Sequence, residues 1–188
     1  MNLQDNDFIL FGIPQRFAQD RAELDARWKE LQREAHPDKF AAQGPSAQRV
    51  AMQWSVRINE AYRRLKEPLS RAAYLCELRG VPIEAEKNTA MPTEFLMHQM
   101  EWREALDDAT NEAALLDLVA QVDKLRRELL QKCELLLDAP DALDAEGAAK
   151  AAAATHANAR AAAQQVRALM FVQRFASELD DRLSQLGQ

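Results

Sequence analysis

A short run of reactive side chains, His36-Pro37-Asp38-Lys39-Phe40, follows a segment with helical periodicity. Proline fixes its own φ, has no N–H group to donate and moves the residue before it out of the α region. The pattern therefore predicts a helix that ends at Ala35 and a tight exposed turn after it. This turn presents an imidazole, a carboxylate and an ammonium group with little apolar cover.

Three interpretations of the turn are open. The imidazole of His36 and the carboxylate of Asp38 could act as a general base and its orienting group. However, no Ser or Cys nucleophile has a recognisable local context, and a two-residue spacing around proline directs the two side chains apart. The tripeptide alone is also compatible with an ordinary helix-ending loop. The third interpretation is a protein-recognition loop, and the segments on either side favour it.

These flanking segments predict a helical hairpin with the turn at its tip. Asp20 is the predicted N-cap of the upstream helix, with Glu23 three residues later. The apolar face of that helix consists of Leu24, Trp28, Leu31 and Ala35. After Gly44-Pro45, a helix from about Ser46 to Lys66 carries the stripe Val50, Trp54, Ile58, Ala61 and Leu65. The two stripes can pack against each other in antiparallel fashion.

Basic residues mark the other side of the upstream helix. At about 100° per residue, Lys29 and Arg33 fall opposite the apolar face, and Arg27 lies at its edge. A solvated face is one interpretation, because Lys and Arg are usually exposed. A positive docking face that leads into the turn is the other, and the pattern alone does not choose between them.

The composition predicts an all-α protein of one or two small domains. The chain has 188 residues, 47% of them hydrophobic, only five glycines and many residues of high helix propensity. A net charge of −6 argues against nucleic acid or an acidic membrane as a general partner. We expect no signal peptide, because residues 1–14 lack a basic segment, and no membrane span, because no apolar run reaches about 18 residues.

The cysteines and histidines predict neither a metal site nor a cofactor. Cys76 and Cys133 stand far apart in apolar helical surroundings, and neither has a Cys-x-x-Cys partner. They are predicted to be reduced core thiols of a cytoplasmic protein. His36, His98 and His156 are scattered along the chain, so no ligand set is recognisable.

The second half of the chain predicts a separate helical bundle. A helix from Pro68, capped by Gly80, is followed by a proline-containing polar stretch, so the predicted division is a domain at 1–78, a linker at 79–92 and a bundle at 93–188. Three antiparallel helices are expected in the bundle. They begin at Thr93, at Asn111 and at about Ala142, and the alanine-rich first half of the last helix is expected to bury little.

The first of these helices is apolar on two faces. One stripe consists of Phe95, Trp102 and Leu106. The other side carries Leu96, Met97 and Met100, next to Glu101, Arg103 and Glu104. A helix buried on both sides is one interpretation. An exposed methionine-containing patch with a charged rim, typical of adaptable protein-binding surfaces, is the other.

Taken together, these motifs carry a family resemblance. The helix, His-Pro-Asp loop and helix resemble the J-domain, the part of DnaJ-like co-chaperones that stimulates ATP hydrolysis by a DnaK-type chaperone. With the bundle behind it, nearly the whole chain resembles the HscB family of iron–sulfur cluster co-chaperones. The motifs that carry the resemblance are Phe11-Gly12-Ile13-Pro14, Leu31-Gln32-Arg33, His36-Pro37-Asp38-Lys39-Phe40, Pro68 to Leu75, Phe95-Leu96-Met97 and Arg103-Glu104.

The resemblance implies a non-enzymatic co-chaperone that binds the scaffold protein IscU, delivers it to the DnaK-type chaperone HscA and stimulates the ATPase of HscA. The implied chaperone-binding residues are His36, Pro37, Asp38, Arg27, Lys29, Arg33 and Lys39. The implied scaffold-binding residues are Leu96, Met97, Met100, Glu101, Arg103, Glu104 and Phe171. A generic J-domain co-chaperone with another client is the main alternative. A small hydrolase using His36 and Asp38, or a purely structural adaptor, would be different classes of protein.

Two features depart from the family pattern. Ala35 stands where J-domains commonly have an aromatic residue, so looser packing of the loop is expected. The alanine-rich stretch 148–163 looks longer than the family needs, which leaves open the register that positions Phe171. The sequence also leaves open whether the patch of Leu96, Met97 and Met100 is exposed.

Overall fold

The computed structural model describes residues 2, 4–84, 93–139 and 148–186, and every regular element within these ranges is helical. The helices are α1 (Asp7–Phe11), α2 (Arg21–Glu34), a 3₁₀ helix (Pro37–Gln43), α3 (Pro45–Lys66), α4 (Pro68–Leu78), α5 (Thr93–Asp108), α6 (Glu112–Leu137) and α7 (Ala148–Leu186). The predicted all-α class is confirmed. None of these described helices is both long enough and apolar enough to cross a bilayer.

The chain forms two compact units, unit 1 (Met1–Tyr74) and unit 2 (Leu75–Gln188), and the division falls within α4. Residues 85–92 of the predicted linker 79–92 lie outside the described residues. The preceding residues lie against the helices of unit 2. Ile83 is buried, its carbonyl accepts a hydrogen bond from Arg167, and Arg79 donates to the carbonyl of Leu137.

Unit 1 is built on the antiparallel hairpin of α2 and α3. Its polar contacts run in opposite directions along the two helices, from Trp28 Nε1 to Asn59 Oδ1 at 3.0 Å and from Gln32 Nε2 to the carbonyl of Ser55 at 3.1 Å. Leu24 and Leu31 of α2 are buried, as are Ile58, Ala61 and Leu65 of α3. The predicted hairpin is therefore confirmed.

The prediction of a buried apolar stripe on α3 is wrong for its first residue, Val50. Val50 is 48% exposed, and its neighbour Ala51 is buried instead. The tight exposed turn predicted after Ala35 is part of a longer element, because residues 37–43 form the 3₁₀ helix, which packs against α3. Packing against this 3₁₀ helix, as well as against α2, therefore determines which residue is buried at the start of α3.

A buried ion-pair cluster ties the N-terminus of unit 1 to α3, and no sequence motif predicted it. The carboxylate of Asp7 is fully buried between Arg57 at 2.6 Å and Arg64 at 3.0 Å. The backbone N–H of Asp7 donates to the Tyr74 hydroxyl at 3.0 Å. Because a buried carboxylate is stable only when it is paired, these contacts fix the position of α1.

Unit 2 contains the predicted bundle of α5, α6 and α7. Asn111 caps α6 by accepting a hydrogen bond from the Ala114 amide at 2.9 Å. The buried face of α6 consists of Leu115, Leu118, Val122, Leu129, Cys133 and Leu137. The start expected at about Ala142 for the last helix lies outside the described residues, and α7 is described from Ala148.

The alanine-rich half of α7 was expected to bury little, which is wrong for its last turns. Ala159, Ala162 and Ala163 are buried, and the carbonyl of Ala159 accepts a weak hydrogen bond from Cys76 Sγ at 3.6 Å. Small side chains allow neighbouring helices to approach closely. These alanines therefore contribute to packing by bringing helix backbones together, and they do not fill space with large side chains. The large apolar residues of α7 begin only at Val166.

Candidate protein-binding sites

The His36-Pro37-Asp38 loop is held by local bonds. Helix α2 ends at Glu34, and His36 adopts an extended backbone with φ −64° and ψ 125°, as the following proline requires. The Nδ1 atom of His36 accepts a hydrogen bond from the Asp38 amide at 3.3 Å and so caps the 3₁₀ helix. The side chain of Asp38 is 90% exposed. The loop thus presents a carboxylate on a fixed backbone.

This geometry differs from that of a catalytic base with its orienting group. In such a pair, the Nδ1–H group donates to the carboxylate. Here Nδ1 of His36 accepts from a backbone amide and lies 3.6 Å from Oδ2 of Asp38, beyond hydrogen-bond distance. The arrangement can display charge to a partner, and it does not prepare His36 to remove a proton.

The basic face of α2 is open for docking at two of its three predicted positions. Lys29 and Arg33 are exposed and, like Lys39 in the 3₁₀ helix, form no ion pair with any described residue. Arg27 differs, because its Nε atom donates to the carbonyl of Phe11 at 2.9 Å and its Nη1 atom pairs with Glu30. Arg27 therefore joins the end of α1 to α2.

Ala35 is buried behind the loop. Its carbonyl accepts a hydrogen bond from the Ser55 hydroxyl at 3.2 Å. This bond joins the end of α2 to α3 directly before His36. The small residue therefore lies against α3, with a side-chain hydrogen bond supporting its backbone.

Helix α5 exposes the second candidate surface. Leu96, Met97 and Met100 are 44%, 60% and 75% exposed, respectively. The opposite stripe, Phe95, Trp102 and Leu106, is buried, as its spacing predicted. The two apolar faces of α5 therefore differ in burial. One packs into unit 2, and the other is accessible.

A cluster of aromatic rings lies between the buried face of α5 and helix α7. Trp102 stacks on Phe175 with ring centroids 5.4 Å apart, and Phe95 meets Phe171 edge to face at 5.6 Å. Arg103 pairs with Glu178 at 2.7 Å, and its guanidinium group lies 5.7 Å from the Phe175 ring centroid. These ring and ion-pair contacts pack α5 against α7.

The structure brings four of the predicted scaffold-binding residues to one groove of about 660 Å³. Its lining consists of Gln99, Met100, Arg103, Glu104, Asp107, Asp108 and Phe171. Leu96 and Met97 are exposed one turn earlier, and the exposed Glu101 lies 3.4 Å from Nδ1 of His98. Asp107 and Asp108 were missed by sequence reasoning. Their spacing of seven and eight residues from Met100 repeats the helical period and could have revealed them.

The two cysteines are buried in unit 2 and form no disulfide. Burial raises the pKa of the Cys76 thiol to about 11 and the pKa of the Cys133 thiol to about 12. Because the thiolate is the reactive form, both groups are inert near neutral pH. Within the described ranges, no group of three or more His, Cys, Asp or Glu residues is arranged to hold a metal ion.

Comparison with known proteins gives a consistent result. Residues 91–180 match the family model described as the HSCB C-terminal oligomerisation domain. Two proteins, both called co-chaperone protein HscB homolog, come from Burkholderia multivorans and Burkholderia cenocepacia. They are 46% and 44% identical to this chain over 99% of its length and 98% of their own.

Solved structures agree with this result. Chaperone HscB from Vibrio cholerae matches with a TM-score of 0.75 and 32% identity, covering 97% of this chain and 99% of the other. The human co-chaperone protein HscB matches with a TM-score of 0.74 and 24% identity, covering 98% of this chain and 83% of the other. The human protein supports the fold alone, and the bacterial relatives support family membership.

Proposed function

Because this chain belongs to the HscB family of co-chaperones, we propose that it binds the iron–sulfur scaffold protein IscU through unit 2. We further propose that it delivers IscU to the DnaK-type chaperone HscA and that the loop of unit 1 stimulates the ATPase of HscA. The observation that carries the proposal is the exposure of Leu96, Met97 and Met100 on a helix whose other face is anchored.

The apolar face of α5 is suited to binding a protein. Three large apolar side chains are exposed on one helix, and one of them, Met100, lines a groove together with Phe171. Full burial of each such side chain contributes roughly 1.5–3 kcal/mol, so three of them can dominate a modest interface. Methionine is flexible and polarizable, which helps it to fit an irregular partner surface. Glu101, Arg103 and Glu104 supply the polar rim that interfaces usually have.

The loop of unit 1 is suited to biasing an equilibrium in a partner. A protein can shift another protein between two states only by binding one of them more tightly. Asp38 offers a single exposed carboxylate on a backbone restrained by Pro37 and by the His36 bond. Pairing of Asp38 with a basic group of the chaperone would favour the state that hydrolyses ATP. Lys29, Arg33 and Lys39 would attract an acidic chaperone surface and orient it.

Titration calorimetry with IscU tests the proposal. The key variant changes Leu96, Met97 and Met100 together to Ala. We expect wild-type protein to bind and the triple variant to bind at least about 30-fold more weakly, since loss of an interface centre costs 2 kcal/mol or more. The control variant changes Leu116 and Leu135, exposed apolar residues of α6, to Ala and should bind like wild type.

The possible results separate the candidate functions. If the triple variant keeps its helical content and loses binding while the control retains both, partner and site are supported together. Equal losses in the two variants would argue against a specific site on α5. If wild-type protein does not bind IscU but still stimulates a DnaK-type chaperone, the protein is a J-domain co-chaperone with another client.

A further inference from the structure

We infer that Gln32 and Ser55 are positioning residues of the His36-Pro37-Asp38 loop, because their hydrogen bonds hold the end of α2 at one place on α3. This inference rests on the proposed function, since it concerns the same loop. It adds two residues that act through Asp38 and do not themselves touch the chaperone. Its basis is a set of bonds between α2 and α3 that ends directly before the loop.

The bonds follow one side of the hairpin towards the loop. Nε2 of Gln32 donates to the carbonyl of Ser55 at 3.1 Å and to Oδ1 of Asn59 at 2.8 Å. The Ser55 hydroxyl in turn donates to the carbonyl of Ala35 at 3.2 Å. One amide group of α2 thus bridges two successive turns of α3, and one hydroxyl group of α3 reaches the last residue before His36.

These bonds restrict the end of α2 more than apolar packing does. Leu31 and Ala35 are buried on the same helix, but burial is non-directional and permits a helix to slide or rotate slightly. A hydrogen bond weakens when its distance or its angle changes. The carbonyl of Ala35 also lies at a helix end, where carbonyl groups lack a partner within the helix. The bond from Ser55 supplies that partner from α3.

The loop is attached to α3 on both sides. The Ser55 bond lies before the loop, and the 3₁₀ helix after it packs against α3. The side chain of Asp38 is 90% exposed, so contacts of that side chain give Asp38 little support. The place of Asp38 therefore depends on where α3 holds the two flanking segments. A shift at Ala35 would be passed to Asp38 through Pro37, whose ring restricts the backbone.

Gln32 lies in the same turn of α2 as a residue of the docking face. Its neighbour Arg33 is exposed, whereas Gln32 is half-buried and bonded to α3. Loss of the bonds would change the place of Asp38 relative to Arg33, so a chaperone docked on the basic face would meet the carboxylate out of position. A displacement of about 1 Å can lower a rate roughly 100-fold when a reaction depends on the placement of one group.

The test is a titration of the HscA ATPase with the variant Gln32→Met/Ser55→Ala, which keeps the approximate size of both side chains and removes both donors. We expect maximal stimulation at least about fivefold below wild type, because Asp38 is displaced. The concentration for half-maximal stimulation should change by less than about twofold, because the docking face is intact. The rescue variant Ser55→Thr keeps the hydroxyl group and should stimulate like wild type, whereas Ser55→Ala alone should lower the maximum about twofold.

The matched control breaks a bond between the same two helices away from the loop. Tyr62→Phe removes the hydrogen bond from the Tyr62 hydroxyl to Asp25 at 2.7 Å. Asp25 lies ten residues before Ala35 on α2, or about 15 Å along the helix. Urea unfolding should show that the control also loses stability, but its stimulation of HscA should equal that of wild type. The two variants therefore separate positioning of the loop from folding of unit 1.

NMR provides a second readout that needs no partner. The N–H groups of Asp38 and Lys39 bond to His36, and their resonances should shift in the double variant and stay in place in Tyr62→Phe. Unchanged resonances, an unchanged maximum, an equal loss of stimulation in the control, or a rise in the half-maximal concentration alone would each overturn the inference and leave the proposed function standing. Absence of stimulation by wild-type protein would overturn the inference and the proposed function together.

Discussion

The loop of unit 1 and the α5 surface of unit 2 present opposite kinds of chemistry. The loop displays one charged group, Asp38, on a backbone restrained by Pro37 and by a bond from its own amide to His36. The α5 surface displays flexible apolar side chains over a base of stacked rings. Under the proposed function, the loop would act through one group in one position. The α5 surface would act through its total apolar area.

This difference leads to a general expectation about substitutions. A fixed charge cannot be replaced by an uncharged group of the same shape, because its Coulomb interaction disappears completely. Apolar area can be replaced by a similar side chain at low cost, because burial is non-directional. The two regions should therefore respond differently to equally conservative changes.

The largest effect is expected for Asp38→Asn. This change keeps the size of the side chain and removes its charge. Stimulation of the HscA ATPase, measured as steady-state phosphate release, should fall to the basal rate. Helical content and melting temperature should not change, because the side chain is 90% exposed. The matched control is Glu60→Gln, an exposed position on α3. Retained stimulation by the Asp38 variant would contradict the role of the loop.

Asp7→Asn should lower the stability of unit 1 and leave the stability of unit 2 unchanged. It leaves Arg57 and Arg64 without their carboxylate partner. Because both guanidinium groups keep some solvent exposure, the cost should lie below the about 3–5 kcal/mol of breaking a fully buried ion pair. We expect the unfolding transition of unit 1 to move to lower urea concentration and ATPase stimulation to weaken with it. Affinity for IscU should stay at the wild-type value. A parallel loss of IscU affinity would show that the α5 surface depends on unit 1, and Glu60→Gln again serves as the control.

The double variant Lys29→Gln/Arg33→Gln should have an intermediate effect. Both side chains are exposed, so removing their charges should slow docking to HscA without changing stability. We expect the concentration for half-maximal stimulation to rise roughly fivefold at low salt and by less at high salt. The control Arg49→Gln/Arg63→Gln removes two exposed charges from α3. Equal effects of the two variants would indicate a response to net charge alone.

The smallest effect is expected for Met100→Leu. It retains apolar area at the most exposed member of the α5 patch, so affinity for IscU should stay within about threefold of wild type. Met100→Glu should weaken binding far more, because a carboxylate would be buried in the apolar part of the interface. If leucine were as damaging as glutamate, recognition on α5 would depend on a specific shape, as in the loop.

Local chemistry explains what could be predicted from the sequence. Pro37 ends α2, Asp20 caps its start with bonds of 2.7 and 3.0 Å, and Asn111 caps α6. Each of these features depends on residues within a few positions of one another. The periodic spacing of apolar residues likewise gave the hairpin and the buried stripe of α5. The motifs that resemble the HscB family are local too, which is why family membership could be read from sequence.

Errors arose where contacts join distant segments. The pairing of Asp7 with Arg57 and Arg64 joins positions 50 and 57 residues apart, and nothing near Asp7 indicates it. The bond from Arg27 Nε to the carbonyl of Phe11 joins positions sixteen residues apart, and the basic pattern of α2 does not indicate it, while the predicted docking role of Arg27 stays a prediction. Val50 fits its stripe by spacing, but the 3₁₀ helix changes which residue faces inward.

The sequence by itself determined most of the α-helices, many of their ends and the existence of two apolar faces on α5, because these follow from backbone geometry and spacing. Only the tertiary structure decided which of those faces is exposed. Periodicity states that Phe95 and Met97 point in different directions, but it does not state where a neighbouring helix lies. The packing of α5 against α7 buries the aromatic stripe, and Leu96, Met97 and Met100 are left accessible to a partner.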